Sequence, residues 1–439
     1  MHLRSIVAVV AVSVVGLAVA ACGPQESSPD TAGTWVGTIT TEGNVTTVVN
    51  ESGSVWGGTA RLVEELSIGV DAGEDPYIFG PIGGLAATDD RIYVADNLRV
   101  LVRVYDHDGQ HLFDFGRKGK GPGEFTRIHG LLVDRAGRVV VQDQARVIVF
   151  DHRGDLLDTW AYRAVPTRTM TAAADGTVYV PVSARTPEDW GPGVIAVAPD
   201  GTEISRLPRP SYDYDLADTD PWQLSAYSRR PSPNPAIAAI GGTVGHATLR
   251  EVPYAPTAVW AVLPSKAVTE GTNESYRFSV HRPDGTALIV ERAGELSEVV
   301  PEYAEWETAR LTQRMRKEQP DWEWNANPVP ATKPAFTRFT GDRHGRIWVS
   351  RALGTATVAE CDIDPLSVEG RSAIPCWRDL PGLDVFDEDT GRFLGQISLD
   401  EPLLHPVFFE DAILTVVEDA AGTIMVKRYR LVLSGDRER

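Results

Sequence analysis

Asp96, Asn97 and Asp143 are the side chains whose chemistry and spacing come nearest to a metal site. Their oxygens are the ligands that Ca²⁺ prefers, and a buried divalent ion needs a ring of such donors. Asp96 and Asp143 hold equivalent positions in two similar stretches of sequence, but the corresponding residues of later stretches are Val182 and Arg351. We therefore predict no cofactor, with Ca²⁺ or Zn²⁺ as the alternative, and expect both aspartates to cap strand ends or bond neighbouring loops.

Two other groups of residues could bind a partner. Trp322 and Trp324, like Trp35 and Trp56, could line a carbohydrate or peptide groove, although tryptophan more often packs between sheets. Lys118 and Lys120, with Arg117, would form a small basic patch on the surface of an acidic protein. No Gly-x-Ser-x-Gly or His-Glu-x-x-His motif occurs, so the sequence offers no recognisable nucleophile or zinc protease site.

The segment Gly119–Gly123 does not have the sequence of a phosphate loop. A Walker loop needs its lysine followed by Ser or Thr at a helix start, and Pro122 removes one backbone donor. A strand pattern follows instead of a helix. We interpret the segment as a tight crossover between two structural units.

The charge balance excludes one class of function. The 439 residues include 42 Lys plus Arg against 61 Asp plus Glu, a formal net charge of −19. A nucleic-acid partner is not expected, since phosphate binding requires excess Lys and Arg. The 42% of apolar residues suffices for a large core, and 40 Gly with 30 Pro indicates many turns rather than long helices.

The N-terminus predicts export. Residues 1–21 have a short basic start, an apolar run and small residues before Cys22, which resembles a bacterial lipobox. An ordinary secretory signal that happens to end beside a cysteine is the alternative. Lipidation of Cys22 would make the membrane a partner, with residues 22–33 as a flexible tether. We expect a membrane-anchored lipoprotein at the outer membrane or the periplasmic face.

Export also changes the interpretation of Cys361 and Cys376. They are the only other cysteines, and an even number in an oxidising compartment favours a disulfide. Closing this loop would contribute roughly 3 kcal/mol. Two free thiols, or a metal site, are the alternatives.

Internal repeats define the architecture. Turns of the type Asp-x-x-Gly end at Gly109 and Gly154, and similar turns recur at Gly201, Gly285 and Gly391. Each unit of roughly 45 residues carries about four short strand patterns, which is typical of a propeller blade. We predict an all-β, six-bladed β-propeller over residues 34–433, followed by a polar tail at 434–439. The last blade lacks one strand, which residues 34–39 could supply.

One helix interrupts the strand pattern, near residues 301–317. It begins near a proline, with acidic residues early and basic residues late, as the helix dipole favours. It either docks on the surface of the ring or lies over the pore as a lid.

The segment Phe115–Phe125 resembles the linker that joins blades in NHL-repeat propellers. The pattern from Leu383 to Gly391, followed by Val426 to Leu431, is similar to bacterial exported lipoproteins of that group. The resemblance covers roughly residues 35–433. It implies the fold and leaves the activity open, because such domains host several unrelated functions.

Two functions are compatible with these observations. The first is a lipid-anchored binding or scaffolding module for protein or glycan, which we favour over catalysis. The alternative is a metal-dependent hydrolase or lyase, which would need donors such as His246 or Glu418 from the fourth and sixth units.

Overall fold

The computed structural model describes residues 35–433 except 58–59, 145, 162–164, 167–169, 184–191, 209–219, 232, 234–238, 242, 367–371, 409–410 and 420. The predicted signal peptide at 1–21, lipidated Cys22, tether at 22–33 and tail at 434–439 lie outside the described residues.

The first three blades are antiparallel sheets whose strands follow the chain order from the innermost strand outward. Blade 1 consists of β4 (Ile82–Ala87), β5 (Arg91–Asp96), β6 (Leu101–Asp106) and β7 (His111–Phe115). Blade 2 consists of β8 (Ile128–Val133), β9 (Val139–Asp143), β10 (Arg146–Phe150) and β11 (Leu156–Ala161). Blade 3 consists of β12 (Val165–Pro166) and β13 (Thr171–Ala172), which both pair with β14 (Val178–Ser183), then β15 (Pro192–Val197) and β16 (Glu203–Pro208).

Blades 4 and 5 continue this order, and blade 4 is extended at its outer edge. Blade 4 consists of β19 (Ala258–Val262), β20 (Val268–Thr272), β21 (Arg277–His281) and β22 (Ala287–Arg292). The N-terminal hairpin β1 (Val36–Glu42) and β2 (Val45–Ser52) adds to it, because β2 pairs in parallel with β22. Blade 5 consists of β23 (Arg338–Gly341), β24 (Arg346–Thr357), β25 (Trp377–Asp387) and β26 (Phe393–Ser398).

Blade 6 joins the two ends of the chain and closes the ring. It consists of β27 (Leu404–Phe408), β28 (Ala412–Glu418), β29 (Ile424–Leu433) and, on the outside, β3 (Ala60–Ile68). The prediction that residues 34–39 supply the missing strand was wrong, since residues 36–42 lie on blade 4. β3 pairs with β29 along its whole length, and two ion pairs accompany this pairing: Glu64 with Lys427 and Glu65 with Arg430, each at 2.9 Å.

The repeated Asp-x-x-Gly turns join the third and fourth strands of blades. The glycine adopts a left-handed backbone, with φ of 82° at Gly109 and 88° at Gly154, which is costly for other residues. In blade 1 the side chain of Asp106 accepts bonds from the backbone N–H groups of Asp108, at 3.0 Å, and Gln110, at 2.8 Å. The turn chemistry therefore accounts for the sequence repeat.

Three long excursions leave the ring at the same face. In a four-stranded blade, the turn between the second and third strands lies at the same end as the crossover to the next blade. The other two turns lie at the opposite end. Residues 209–257 and 293–337 are crossovers, and residues 358–376 are a second-to-third connection. We call the described parts of these excursions the cap, their side of the ring the cap face, and the other side the turn face.

The cap contains two regular elements. The first excursion forms the hairpin β17 (Gln223–Pro231) and β18 (Thr243–Glu251). The second forms the helix α1 (Pro301–Arg316), which confirms the predicted helical insertion. Within the part of the chain that the structure describes, no helix is long and apolar enough to cross a membrane.

Candidate functional site

The cap has an apolar core of its own. Leu311 and Met315 of α1 pack against Leu224 and Ala226 of β17. Trp322 is only 2% exposed and its indole N–H donates to the Ser225 carbonyl at 2.7 Å.

The two tryptophans singled out in the sequence belong to this core. Trp324 packs beside Trp322, with ring centroids 6.2 Å apart, and donates to the Asn327 carbonyl at 3.0 Å. The structure thus places both rings in packing, and the buried ring of Trp322 presents no face to a ligand.

A disulfide and one tryptophan tie the third excursion to the helix. Cys361 and Cys376 form a disulfide, as predicted. The indole N–H of Trp306 donates to the carbonyl of Asp362 at 2.7 Å. The helix is therefore docked between the other two excursions, rather than among the residues that line the central channel.

Lys333 attaches the cap to blade 5. Its buried ammonium lies 2.8 Å from Asp379 and donates to the carbonyl of Gly354 at 2.6 Å. The hydroxyl of Tyr254 also donates to Asp379, at 2.9 Å. Burial raises the pKa of the Tyr254 phenol, and burial raises the pKa of Tyr303 beside it to about 12. Both phenols therefore remain neutral hydrogen-bonding groups at physiological pH.

The outer surface of the cap exposes large apolar side chains. Ile363 is 85% exposed, Ile240 is 84% exposed and Tyr227 is 67% exposed. Leu249 and Ile374 are also exposed. Exposed apolar side chains on a shared surface are candidates for an interaction site, and the cap carries the most exposed ones among the described residues.

The chain enters the ring from the cap face. Because β22 ends at that face and β2 runs parallel to it, residues 50–52 also lie there. Val36 pairs with Ser52, so Trp35 and the N-terminal end of β1 emerge beside the cap face.

Asp96 is a structural residue of blade 1. Its carboxylate is buried and accepts a bond from the backbone N–H of Leu98 at 2.8 Å. It also pairs with the buried guanidinium of Arg103 at 3.3 Å. Arg103 bonds Asp75 in addition, and hydrogen bonds from Arg99 and then Arg103 lower the pKa of Asp75 to about 2.

Asn97 and Asp143 bind the crossover between blades 1 and 2. The amide of Asn97 donates to the carbonyl of Ile128 and accepts from its N–H, both at 2.9 Å. Asp143 accepts from the N–H groups of Thr126 and Arg127, each at 2.9 Å. The oxygens considered for metal binding are thus engaged by the protein itself.

No candidate metal cluster forms in the described ranges: no three His, Cys, Asp or Glu side chains come together there in a suitable arrangement. His246 lies on β18 of the cap, and Glu418 lies at the end of β28.

Lys118 and Lys120 lie on the exposed crossover after blade 1. The segment is held by Phe125, which is buried and packs on Phe150 at 5.7 Å between ring centroids. Arg146 donates to the carbonyls of Lys120, at 3.1 Å, and Glu124, at 2.7 Å. The two lysine side chains are exposed, so they remain available to a partner.

A channel of about 590 Å³ runs along the axis of the ring. Its wall comes from the innermost strands and from residues of blade 3, and it is mostly apolar, with Leu131, Trp260 and Leu404 among its residues. Arg343, in the turn after β23, donates to the carbonyl of Val133 at 3.2 Å. Blades 2 and 5 lie opposite each other in a ring of six, so this side chain crosses the channel at the turn face.

Sequence reasoning missed the arginines of this channel. Arg338 and Arg343 flank a single short strand, in the sequence Arg-Phe-Thr-Gly-Asp-Arg. Nothing in that pattern distinguishes the innermost strand of a blade from an outer one. A basic residue at each end of a first strand is the signal that a blade-by-blade alignment could have used.

Comparisons with known proteins agree with the propeller fold. A family model described as a 6-bladed beta-propeller, DUF5128, matches residues 73–207, which span the first three blades. With the six blades described above, this confirms the predicted six-bladed β-propeller, and the fold is consistent with the resemblance to NHL-repeat propellers. No curated protein matches the chain.

Solved structures of low identity resemble the chain. A member of the duf4221 family from Bacteroides vulgatus is 8% identical, covers 86% of this chain and 99% of its own, and has a TM-score of 0.44. Virginiamycin B lyase from Staphylococcus aureus is 8% identical, with coverages of 85% and 100% and a TM-score of 0.38. A gluconolactonase from Xanthomonas campestris is 13% identical, with coverages of 84% and 98% and a TM-score of 0.34. Likenesses at this level carry no argument about activity.

Proposed function

We propose that this protein is a lipid-anchored binding module of the bacterial cell envelope, and that its cap face contacts a protein partner. The observation that carries the proposal is the convergence of three excursions, from neighbouring blades, on one face with exposed apolar side chains. Ile363, Ile240 and Tyr227 are the most exposed of these. Loops on a rigid ring are the usual carriers of recognition.

The chemistry of the cap favours a protein over a glycan. Sugar binding usually uses more than one exposed aromatic face. Among the aromatic residues of the cap, Trp322 is buried, Trp324 packs against it, and Tyr227 is exposed. The exposed aliphatic groups Ile363, Ile240 and Ile374 suit an apolar protein surface. Lys118 and Lys120 lie at the same face of the ring but on the crossover between blades 1 and 2, across the ring from the cap.

The anchor is supported by the lipobox-like sequence that ends at Cys22. Because Trp35 emerges at the cap face, a tether of residues 22–34 would hold that face towards the membrane, within about 45 Å when fully extended. Cys22→Ser should release the full chain from the membrane fraction, whereas a surface variant such as Asp108→Ser should not. Retention of Cys22→Ser on membranes would contradict lipid anchoring.

Site-specific cross-linking tests the partner. A photo-reactive amino acid at position 363 or 240 of the full lipoprotein in bacterial cells should give one discrete adduct. The same group at Asp108, an exposed residue of the turn face, serves as the matched control. Ile363→Asp combined with Ile374→Asp should abolish the adduct formed from position 240. Equal adducts from both faces, or none from the cap face, would overturn the proposal.

Thermal melting distinguishes the proposed binding module from the alternative, a metal-dependent hydrolase or lyase. The full chain would be melted with EDTA, Ca²⁺ or Zn²⁺. A ligand that binds only the folded state raises Tm. A binding module of the proposed kind should melt at the same temperature in all three, and a metal-dependent rise would favour the enzyme.

A further inference from the structure

We infer that the axial channel is a binding site for a small amphipathic carboxylate. The channel volume of about 590 Å³ falls in the range of small-molecule sites. It lies along the ring axis, separate from the cap surface, and the inference does not depend on the proposed protein partner.

The charge of the channel is the first argument. Its described lining contains three Asp, Glu, Lys or Arg residues, namely Arg338, Asp342 and Arg343. Asp342 is buried and accepts bonds from Arg346, at 2.6 Å, and from the indole of Trp348, at 2.9 Å. Its charge is therefore neutralised within its own blade.

The two arginines have no such compensation. Among the described residues, no carboxylate forms an ion pair with Arg338 or Arg343, and Arg343 bonds only the neutral carbonyl of Val133. The channel thus carries uncompensated positive charge inside a protein of net charge −19. An anion is attracted to such a site, whereas a divalent cation is repelled.

The positions of the arginines define the entrance. Arg338 begins β23 at the cap face, and Arg343 lies in the turn beyond the other end of β23, past about 10 Å of strand. Since Arg343 crosses to Val133 at the turn face, the ligand enters from the cap face and meets Arg338 first. A guanidinium binds a carboxylate with two parallel hydrogen bonds, which fixes its orientation.

The wall below Arg338 is suited to an apolar body. Trp260 is half-buried and lines the channel, and Leu404, which also lines it, is 49% exposed although it is a large aliphatic residue. Covering these groups removes apolar surface from water, which favours binding. The ligand class is therefore a carboxylate with an aromatic or aliphatic body, rather than a free inorganic anion.

Calorimetry with two matched probes tests this site in the full chain. We expect 4-phenylbutyrate to bind and its neutral amide, 4-phenylbutyramide, to bind at least about tenfold more weakly, because the amide lacks the charge. Acetate, which lacks the apolar body, should also bind weakly. Equal binding of acid and amide, or no binding of the acid, would overturn the inference.

Variants locate the site. Arg338→Gln should weaken 4-phenylbutyrate about tenfold, whereas Arg153→Gln, which makes the same charge change on an exposed turn, should leave its affinity unchanged. The probe 4-(4-bromophenyl)butyrate quenches tryptophan on contact, and Trp260→Phe should remove that quenching. Unchanged affinity in Arg338→Gln, or quenching that persists in Trp260→Phe, would show that the probe binds elsewhere and would contradict the inference. Melting of each variant without ligand checks that it is folded.

Discussion

Asn50 precedes Phe393 by 343 residues, yet its side-chain oxygen accepts a 2.7 Å hydrogen bond from the Phe393 backbone N–H. The same oxygen accepts from the indole of Trp35 at 2.7 Å. Its amide group donates to the carbonyls of Glu291, at 3.0 Å, and Gly391, at 3.1 Å. One buried side chain therefore joins the N-terminal hairpin to blades 4 and 5.

Asn50→Ala should lower the free energy of unfolding by about 2–3 kcal/mol, because several buried polar groups lose their partner. Asn44 of the same hairpin provides the matched control. It is exposed and donates to the Gly285 carbonyl at 2.6 Å, so Asn44→Ala should cost less than about 0.5 kcal/mol. Urea denaturation of both variants measures the difference. Equal losses would show that Asn50 does not join the hairpin to the ring.

Asp384 should be the most sensitive carboxylate between blades 4 and 5. It is fully buried and accepts four hydrogen bonds, from Tyr276, Arg292, Arg351 and Gln396. Asp384→Ala leaves two arginines facing each other without an anion, and we expect a loss of about 3–5 kcal/mol in urea denaturation. Asp389→Ala, an exposed change nearby, should cost little. A loss below about 1 kcal/mol at Asp384 would show that the arginines find other partners.

Glu388 should make stability depend on pH. Burial raises the pKa of its carboxyl, although a hydrogen bond from Ser265 opposes this effect. The folded protein therefore holds this proton more tightly than the unfolded chain. Its contribution to stability is full below the ordinary glutamate pKa of 4.5 and is lost as pH rises through the raised pKa.

Glu388→Gln should accordingly be more stable than the parent at pH 7 and should lose this advantage in acid. Thermal melting of the variant and the parent, from acid to neutral pH, measures this difference in stability. Glu323→Gln, at an exposed site of the cap, should show no such trend. A variant that is less stable than the parent at pH 7 would mean that Glu388 is needed in its charged form.

Reduction of the disulfide should loosen the cap before the ring. Replacing Cys361 and Cys376 by serine removes a cross-link over 15 residues, worth roughly 3 kcal/mol by loop entropy. We expect limited proteolysis to cut within residues 358–376 of this variant while the ring stays intact. A reducing agent should reproduce the effect in the parent and should have no effect on the variant. Identical cleavage of the parent and the variant would contradict the prediction that the disulfide stabilises the cap.

The repeating parts of this fold were accessible from the sequence because they rest on local chemistry. The turn at Gly109 needs a left-handed residue, and Asp106 bonds the same turn, so both recur at fixed spacing. The helix was found from its own charge order. The disulfide was predicted from the number of cysteines and from the export signal at the N-terminus. None of these requires knowledge of a distant contact.

Long-range pairing explains what the sequence did not reveal. Residues 36–42 and 60–68 both have strand patterns, and the use of residues 60–68 in blade 6 depends on pairing with β29 at the other end of the chain. The burial of Trp322 depends on Leu224, about a hundred residues earlier in the chain. Arg338 lines the channel because its strand is the innermost of blade 5. The position of that strand follows from the order of the whole sheet.

The closure by β3 constrains the order in which the protein can be made. Glu65 and its partner Arg430 are separated by 365 residues, so at usual rates of synthesis they leave the ribosome on the order of 20–70 s apart. During that time β3 has no partner, and its backbone groups are open to pairing with another chain. A chain that stops before residue 424 cannot complete the ring. Only a fully synthesised protein can therefore protect both edges of its first ring strand, so the ring closes as the last step of folding.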